Sequence, residues 1–195
     1  LLYSGEKPAV AGVRLLPIDS LNSYMTLRKV AEAASSSHIA LLNDACPLLL
    51  GQNAMLRFAQ VMEYTGAVMA YSDFLERSGE NIKLHPLIAY QLGSVRDDFD
   101  FGPLLFFDAS AFKSCVTDMD PSVVYSSLYD LRLRLSERFL PFHLNEPLYT
   151  VLPKDKVSSE EKQFAYVDPR NRGVQVERER VFTEYLKRVG AYLEP

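Results

Sequence analysis

The feature of this sequence that most constrains its fold is an alternation of short apolar runs with helical patterns across residues 13–73. The runs "VRLLPID", "HIALLND" and "AVMAYSD" predict strands, because each is mostly apolar and too short for a helix. Between them, two sets of apolar residues recur at helical spacing: Leu27, Val30, Ala31 and Ala34, then Met55, Phe58, Ala59 and Met62. The order strand, helix, strand, helix, strand predicts parallel strands joined by crossover helices.

The second half of the chain is less regular. "ERSGENIKLHPLI" indicates a turn and a ribbon, "GPLLFFDASAF" a strand entering a short helix, and residues 121–135 an amphipathic helix. "PFHLNEPLYTVL" predicts a late edge strand interrupted by Pro147. A long C-terminal helix follows, capped by Asp168, after a linker over residues 153–162. The predicted fold is therefore an α/β domain with a mostly parallel, Rossmann-like sheet, helices on both faces, late edge strands and a long C-terminal helix.

Composition limits the functional classes. The chain has 195 residues, which suits one domain, and a formal net charge of -4 with dispersed Lys and Arg, which argues against nucleic-acid binding. No apolar run is long enough to cross a membrane. Cys46 and Cys115 are far apart in the sequence, and we expect reduced thiols in a cytoplasmic protein, although one disulfide stays open.

Three carboxylates follow predicted strands directly. They are Asp19 after "VRLLPI", Asp44 after "HIALLN" and Asp73 after "AVMAYS". Ligands of open parallel sheets bind outside the carboxyl ends of the strands, so the three residues predict a binding crevice. The alternative for each one is a turn or a helix cap, which is a common role for aspartate.

The order of these parts resembles the family-2 glycosyltransferases, through "VRLLPIDSLNSYMTLRKVAEAASSSHIALLND", "LLFFDASAFKSCVTDMDPSVVYSSLYDLRLRL" and "FLPFHLNEPLYTV". The resemblance implies the GT-A fold, with a nucleotide-binding-type half over residues 1–75, an acceptor-type half over residues 76–152, and a linker and C-terminal helix over residues 153–195. It implies that Asp19, Asp44 and Asp73 bind a nucleotide-sugar. Asp44 would also hold a divalent cation, Mn²⁺ or Mg²⁺, and Asp130 would be the catalytic base.

The sequence departs from the family pattern at its metal motif. Asn43-Asp44-Ala45 keeps one carboxylate where the family has Asp-x-Asp, and Tyr129-Asp130 keeps one where it has an acidic pair. The chain resembles a degenerate bacterial glycosyltransferase-like domain that precedes an intact one. For Asp130, an ion pair with Arg134 at i,i+4 is the alternative to catalysis.

A literal Asp-x-Asp occurs instead at Asp98-Phe99-Asp100, within "RDDFDFG". It precedes a strand rather than following an early one. We expect a loop in which Phe99 and Phe101 pack while Asp97, Asp98 and Asp100 face water or Arg96, and a displaced cation site is the alternative. The three histidines and the tyrosines Tyr24, Tyr71 and Tyr90 are expected to be structural, although those tyrosines are the nearest to the predicted crevice.

Two functions stay open from the sequence. The first is transfer of a sugar from a nucleoside diphosphate donor to a glycan or another hydroxyl acceptor. The second is a non-catalytic domain that binds a glycan, or that serves as a platform for a catalytic domain after residue 195 or for a homodimer partner. The test that separates them is whether Asp44 and Asp130 face one open crevice.

Overall fold

The computed structural model of the chain describes residues 2–3, 9, 12–43, 46–153 and 172–194. The strands are β1 (Leu2–Tyr3), β2 (Leu16–Pro17), β3 (His38–Leu42), β4 (Leu48–Leu50), β5 (Met69–Ser72), β6 (Phe74–Ser78), β7 (Asn81–His85), β8 (Leu104–Asp108), β9 (Phe142–Leu144) and β10 (Tyr149–Val151). The helices are α1 (Tyr24–Ala33), α2 (Ala54–Thr65), α3 (Ala109–Thr117), α4 (Ser127–Ser136) and α5 (Arg172–Arg188).

The strands of the described residues form three small sheets. β1 and β2 pair in parallel as a two-stranded sheet. A four-stranded sheet has the order β4-β10-β6-β7, and a second one has the order β3-β8-β5-β9. Both four-stranded sheets are mixed, because only the β10–β6 and β5–β9 pairs are parallel.

The predicted mostly parallel, GT-A-type sheet is therefore wrong. β8 lies between β3 and β5 and runs antiparallel to both. Apolar periodicity reports that a strand is buried, but it carries no information on the direction of that strand or on its neighbours. β3 and β5 do run in the same direction, as predicted, since both are antiparallel to β8. They are not neighbours, however, because β8, from later in the chain, lies between them.

Two predicted strands are divided between the sheets. The strand predicted over residues 67–73 corresponds to β5. After Asp73 the chain continues as β6, which belongs to the other four-stranded sheet. "PFHLNEPLYTVL" likewise becomes β9 and β10. The edge prediction is right for β9, which ends its sheet, and wrong for β10, which lies between β4 and β6. The ribbon predicted from "ERSGENIKLHPLI" is confirmed as the β6–β7 hairpin.

The helices match their predictions more closely than the strands do, because a 3.6-residue apolar period depends only on residues that are close in the sequence. α2 ends at Gly66, whose φ of 72° is the left-handed conformation expected of a glycine cap. α1 is capped by Ser23, whose side chain accepts a hydrogen bond from the Thr26 backbone N–H. α4 starts at Ser127, later than the predicted residue 121. Asp168, the predicted cap of the last helix, lies outside the described residues.

Two apolar clusters hold the described structure together. The larger one covers both faces of the β3-β8-β5-β9 sheet, with Phe58, Tyr71, Phe107 and Phe112 almost fully buried. The smaller one joins α5 to α4 through Val181, Tyr185 and Leu133. α5 is therefore packed against the domain through Val181 and Tyr185. None of the helices within the described ranges is long and apolar enough to span a membrane.

Candidate functional site

A cleft of about 210 Å³ lies between the loop before β8 and the amino-terminal end of α4. We name it the α4 cleft. Its wall residues are Asn22, Asn43, Met69, Asp97, Phe99, Phe101, Leu105, Phe107, Tyr125, Ser126, Leu128, Tyr129, Arg132 and Arg178. Five of the 14 are aromatic and three are charged, so the cleft combines flat apolar surfaces with a few polar groups, as ligand sites do.

Arg132 contributes a buried guanidinium to the α4 cleft. The residue is 6% exposed, and its Nη2 donates a hydrogen bond to the Val95 carbonyl at 3.2 Å. The guanidinium carbon lies 4.9 Å from the ring centroid of Tyr129 and 5.5 Å from that of Phe101. These ring faces attract the cation. Burial lowers the pKa of the guanidinium from its ordinary value, and Nε has no hydrogen-bond partner within the described part of the chain.

Ser126 contributes a second buried polar group without a partner. It is the N-cap residue of α4 and is 2% exposed, but its side chain makes no capping hydrogen bond. Its hydroxyl oxygen has no partner among the described residues. A serine at an N-cap ordinarily accepts from a backbone N–H of the first turn, and the Ser126 hydroxyl does not fill that role.

α5 supplies one wall of the α4 cleft. The Glu177 carboxylate accepts hydrogen bonds from the backbone N–H groups of Val124 at 2.9 Å and Tyr125 at 2.7 Å, just before α4 begins. Arg178 pairs with Asp97 across the wall. Glu177 and Arg178 thus attach α5 to the loops around the cleft.

Asp130, the predicted base, is not among the residues that line the α4 cleft. It is 3% exposed, and its Oδ1 lies 2.9 Å from Arg134 Nε and 3.6 Å from Arg188 Nη2. Burial raises the pKa of Asp130 from its ordinary value, and the attraction of both arginines opposes that effect. The ion pair with Arg134, the alternative from the sequence, is present.

The Asp73 carboxylate also makes its hydrogen bonds inside the fold. It is buried at the junction of β5 and β6, where its Oδ1 accepts from the Leu87 N–H at 2.8 Å and from His143 Nε2 at 2.7 Å. His143 stacks on Tyr71, and the ring centroids are 5.0 Å apart. These contacts join the β6–β7 hairpin to β9, so the geometry of Asp73 is that of a structural carboxylate.

The other two predicted nucleotide-binding residues are not brought to Asp73. Asp19 is exposed beside β2, which belongs to a different sheet from β3 and β5. Asp44, the predicted metal ligand, lies outside the described residues. Its neighbour Asn43 lines the α4 cleft and donates a hydrogen bond to the Gly102 carbonyl at 3.3 Å.

The "RDDFDFG" loop has the packing expected from the sequence. Phe99 and Phe101 pack together with ring centroids 4.5 Å apart, and Asp98 pairs with Arg96 at 2.6 Å. Asp100 Oδ1 accepts from the Gly102 N–H, and its Oδ2 lies 3.2 Å from His85 Nε2. Asp97 differs from the expectation, because it pairs with Arg178.

A larger cleft of about 690 Å³ opens on the other side of this loop, and Asn43, Glu76, Asp98 and Asp100 are among its lining residues. Its three carboxylates repel phosphate groups unless a cation neutralises them. Within the described ranges, no group of three or more His, Cys, Asp or Glu side chains is arranged to hold a metal ion. Because the predicted ligand Asp44 lies outside the described residues, the expected Mn²⁺ or Mg²⁺ stays a prediction.

The predicted structural role of the tyrosines is confirmed. Tyr71 donates to the Ile88 carbonyl and accepts from the Tyr90 N–H, both at 2.7 Å. Tyr24 and Tyr90 are buried in the main core. Burial raises the pKa of Tyr71 well above that of a free phenol.

Sequence reasoning missed the residues that make the α4 cleft distinctive, above all Arg132 and Ser126. A signal for Arg132 was present. It lies four residues after Leu128 and three before Leu135, on the apolar stripe of α4, so helical spacing places it on the inner face. No sequence pattern distinguishes a capping serine from one whose hydroxyl is unused.

No protein-family model matches the sequence, and no curated protein is significantly similar to it. The resemblance to family-2 glycosyltransferases therefore stays a prediction that rests on the order of residues and motifs.

Proposed function

We propose that this domain binds one sugar unit of a glycan in the α4 cleft and carries out no group transfer of its own. The observation that carries the proposal is the position of Asp130. A general base must reach the proton that it removes, either directly or through one water. Asp130 is buried, paired with Arg134 and Arg188, and absent from the cleft wall.

The size of the cleft supports a single sugar unit. Pockets for drug-sized ligands have volumes of roughly 300–1,000 Å³. The α4 cleft, at about 210 Å³, is below that range. A nucleoside diphosphate sugar comprises a base, two sugars and two phosphates, and is too large to be enclosed there.

The chemistry of the wall also suits a sugar. Tyr125 is half-exposed at the cleft, and Phe99 and Tyr129 are partly buried there, so aromatic side chains line the space in which a sugar ring would bind. Asn22, Asn43 and Ser126 offer amide and hydroxyl groups that match sugar hydroxyls. Specificity in such a site comes from a few polar groups around an apolar floor.

Transfer of a sugar from a nucleoside diphosphate is the weaker proposal. It requires Asp130 to leave two arginines, and it requires a cation for which the described residues provide no cluster. In the binding proposal, a catalytic domain after residue 195 or a homodimer partner supplies the chemistry.

Cys46 and Cys115, both within the described ranges, form no disulfide, which supports a reducing, cytoplasmic location.

Calorimetric titration of the whole chain tests the proposal. We expect glucose, glucuronate or short glycans to bind, and we expect UDP-sugars and GDP-sugars to show no turnover with or without Mn²⁺. Asp130→Asn is expected to bind sugars like the parent protein. Mn²⁺-dependent binding of a nucleotide-sugar, with turnover that Asp130→Asn abolishes, would overturn the proposal in favour of transfer.

Two tyrosine variants locate the binding. Tyr125 is 49% exposed and lines the α4 cleft, whereas Tyr64 is 92% exposed on α2 and does not. We expect Tyr125→Ala to weaken sugar binding about fivefold to tenfold, because it removes an aromatic face. Tyr64→Ala is the matched control and should leave the affinity unchanged. Equal loss in both variants would place the binding elsewhere.

A further inference from the structure

We propose that the α4 cleft selects a sugar unit that carries an oxyanion, a carboxylate or a phosphate group, and that Arg132 Nε and the Ser126 hydroxyl bind this group. The inference rests on the proposed function, since it names the class of sugar that the cleft takes. It has its own evidence in the charges and the unpartnered polar atoms of the cleft.

The charge of the cleft wall is opposite in sign to that of the chain. The chain has a formal net charge of -4, but the wall carries two guanidinium groups, Arg132 and Arg178, and one carboxylate, Asp97. Asp97 and Arg178 pair with each other, so their charges balance. The charge of Arg132 is the one that a ligand can neutralise.

The surroundings of Arg132 hold its cation but leave its Nε–H without an acceptor among the described residues. A guanidinium has five N–H donors. The Val95 carbonyl takes one of them, while the rings of Tyr129 and Phe101 face the cation. No carboxylate forms a salt bridge with Arg132 within the described part of the chain. A buried charged donor without an acceptor is costly, and an oxyanion supplies the acceptor and the opposite charge together.

The amino-terminal end of α4 favours the same ligand. Ser126 lines the cleft, and its buried hydroxyl makes no hydrogen bond among the described residues. The first turn of a helix carries partial positive charge from its unsatisfied N–H groups. The neighbouring backbone N–H groups of Val124 and Tyr125 already hold a carboxylate, that of Glu177, and Glu177 is not part of the cleft wall.

Calorimetric titration of the whole chain at constant ionic strength tests the inference, with glucose, glucuronate, glucose 6-phosphate and inorganic phosphate as ligands. We expect the two anionic sugars to bind about tenfold more tightly than glucose, since one charge-assisted interaction of this kind contributes a factor of that order. The affinities of glucuronate and glucose 6-phosphate, compared with each other, show whether a carboxylate or a phosphate is preferred. Equal affinity for glucose and both anionic sugars would overturn the inference and leave the proposed function intact.

Three variants assign the selectivity to named atoms. Arg132→Met should abolish the preference for anionic sugars, measured as the ratio of their affinity to that of glucose, and Ser126→Ala should reduce that ratio by about threefold. Arg57→Met, at an exposed arginine outside the α4 cleft, is the matched control and should keep the preference. Circular dichroism confirms folding of each variant. If Arg132→Met unfolds, Ser126→Ala decides, and an unchanged preference in that variant overturns the inference.

The two proposals fail in different ways. If no sugar binds but inorganic phosphate binds and Arg132→Met abolishes its binding, the oxyanion site is retained and the glycan-binding function is wrong. If neither sugars nor phosphate bind to the folded chain, both are wrong.

Discussion

Asp130 in α4 lies 2.9 Å from Arg134, one helical turn further along, and 3.6 Å from Arg188 near the end of α5. Arg188 also pairs with Glu137 at 2.8 Å. The residue predicted as a catalytic base is therefore the buried member of a charge cluster that joins two helices. Because one member comes from α5, the cluster forms only when α5 is packed against the domain.

Asp130→Asn should change how stability depends on pH. Burial raises the folded-state pKa of Asp130 above its unfolded value, so ionisation of this group disfavours the folded state. The stability that the protonated Asp130 contributes is fully present at pH values below the unfolded-state pKa, and it is lost as pH rises through the folded-state pKa. We expect Asp130→Asn to gain stability relative to the parent protein over that window, measured as urea midpoints at several pH values. A gain that shrinks as pH rises would contradict this.

Glu177→Ala should loosen α5. The carboxylate accepts two backbone hydrogen bonds, from Val124 and Tyr125, and hydrogen bonds to charged groups contribute roughly 1.5–3 kcal/mol. We expect the free energy of unfolding to fall by about that amount, with faster proteolytic cleavage near residue 172. Glu179→Ala, two residues further at an exposed position, is the matched control and should change stability by less than about 0.5 kcal/mol. Equal effects of both changes would show that the Glu177 contacts contribute nothing.

The helices were predictable from the sequence, whereas the sheets and the cleft were not. Gly66 and the apolar stripe of α2 are local signals, so the existence and end of that helix followed directly. The direction of β8 depends on contacts between residues far apart, such as Ile39 with Phe107, which no local pattern encodes. The α4 cleft depends on how the buried Arg132 side chain packs. Its polar groups come together only when α4, α5 and the loop before β8 are packed against one another.

Asp73→Ala and Asp19→Ala should differ sharply, although the sequence assigned both residues to nucleotide binding. Loss of the Asp73 carboxylate leaves the Leu87 N–H and His143 Nε2 without their buried acceptor, which costs at least about 2 kcal/mol of unfolding free energy. Asp19 is exposed, so Asp19→Ala should stay within about 0.5 kcal/mol of the parent protein. Urea denaturation measures both. Similar midpoints for the two variants would contradict the structural role of Asp73.

Gly102→Ala should be more destabilising than Gly93→Ala. Both glycines have positive φ, 68° and 93°, so an alanine at either position is strained by roughly 1–2 kcal/mol. At Gly102 the added Cβ would also lie 2.5 Å from the Tyr149 hydroxyl, whereas at Gly93 nothing lies within 4 Å. We expect Gly102→Ala to lose a further roughly 1–3 kcal/mol. Thermal denaturation of the two variants measures the difference, and equal melting temperatures would show that the loop moves away at no cost.

The most direct test of a sugar-binding α4 cleft is amide chemical-shift mapping of the ¹⁵N-labelled chain during titration with glucose and, separately, glucuronate. The binding account predicts perturbed amides over residues 95–101 and 123–132, which surround the cleft, and little change in α2 or β9. An absence of perturbation with both sugars, or shifts confined to α2 and β9, would contradict it.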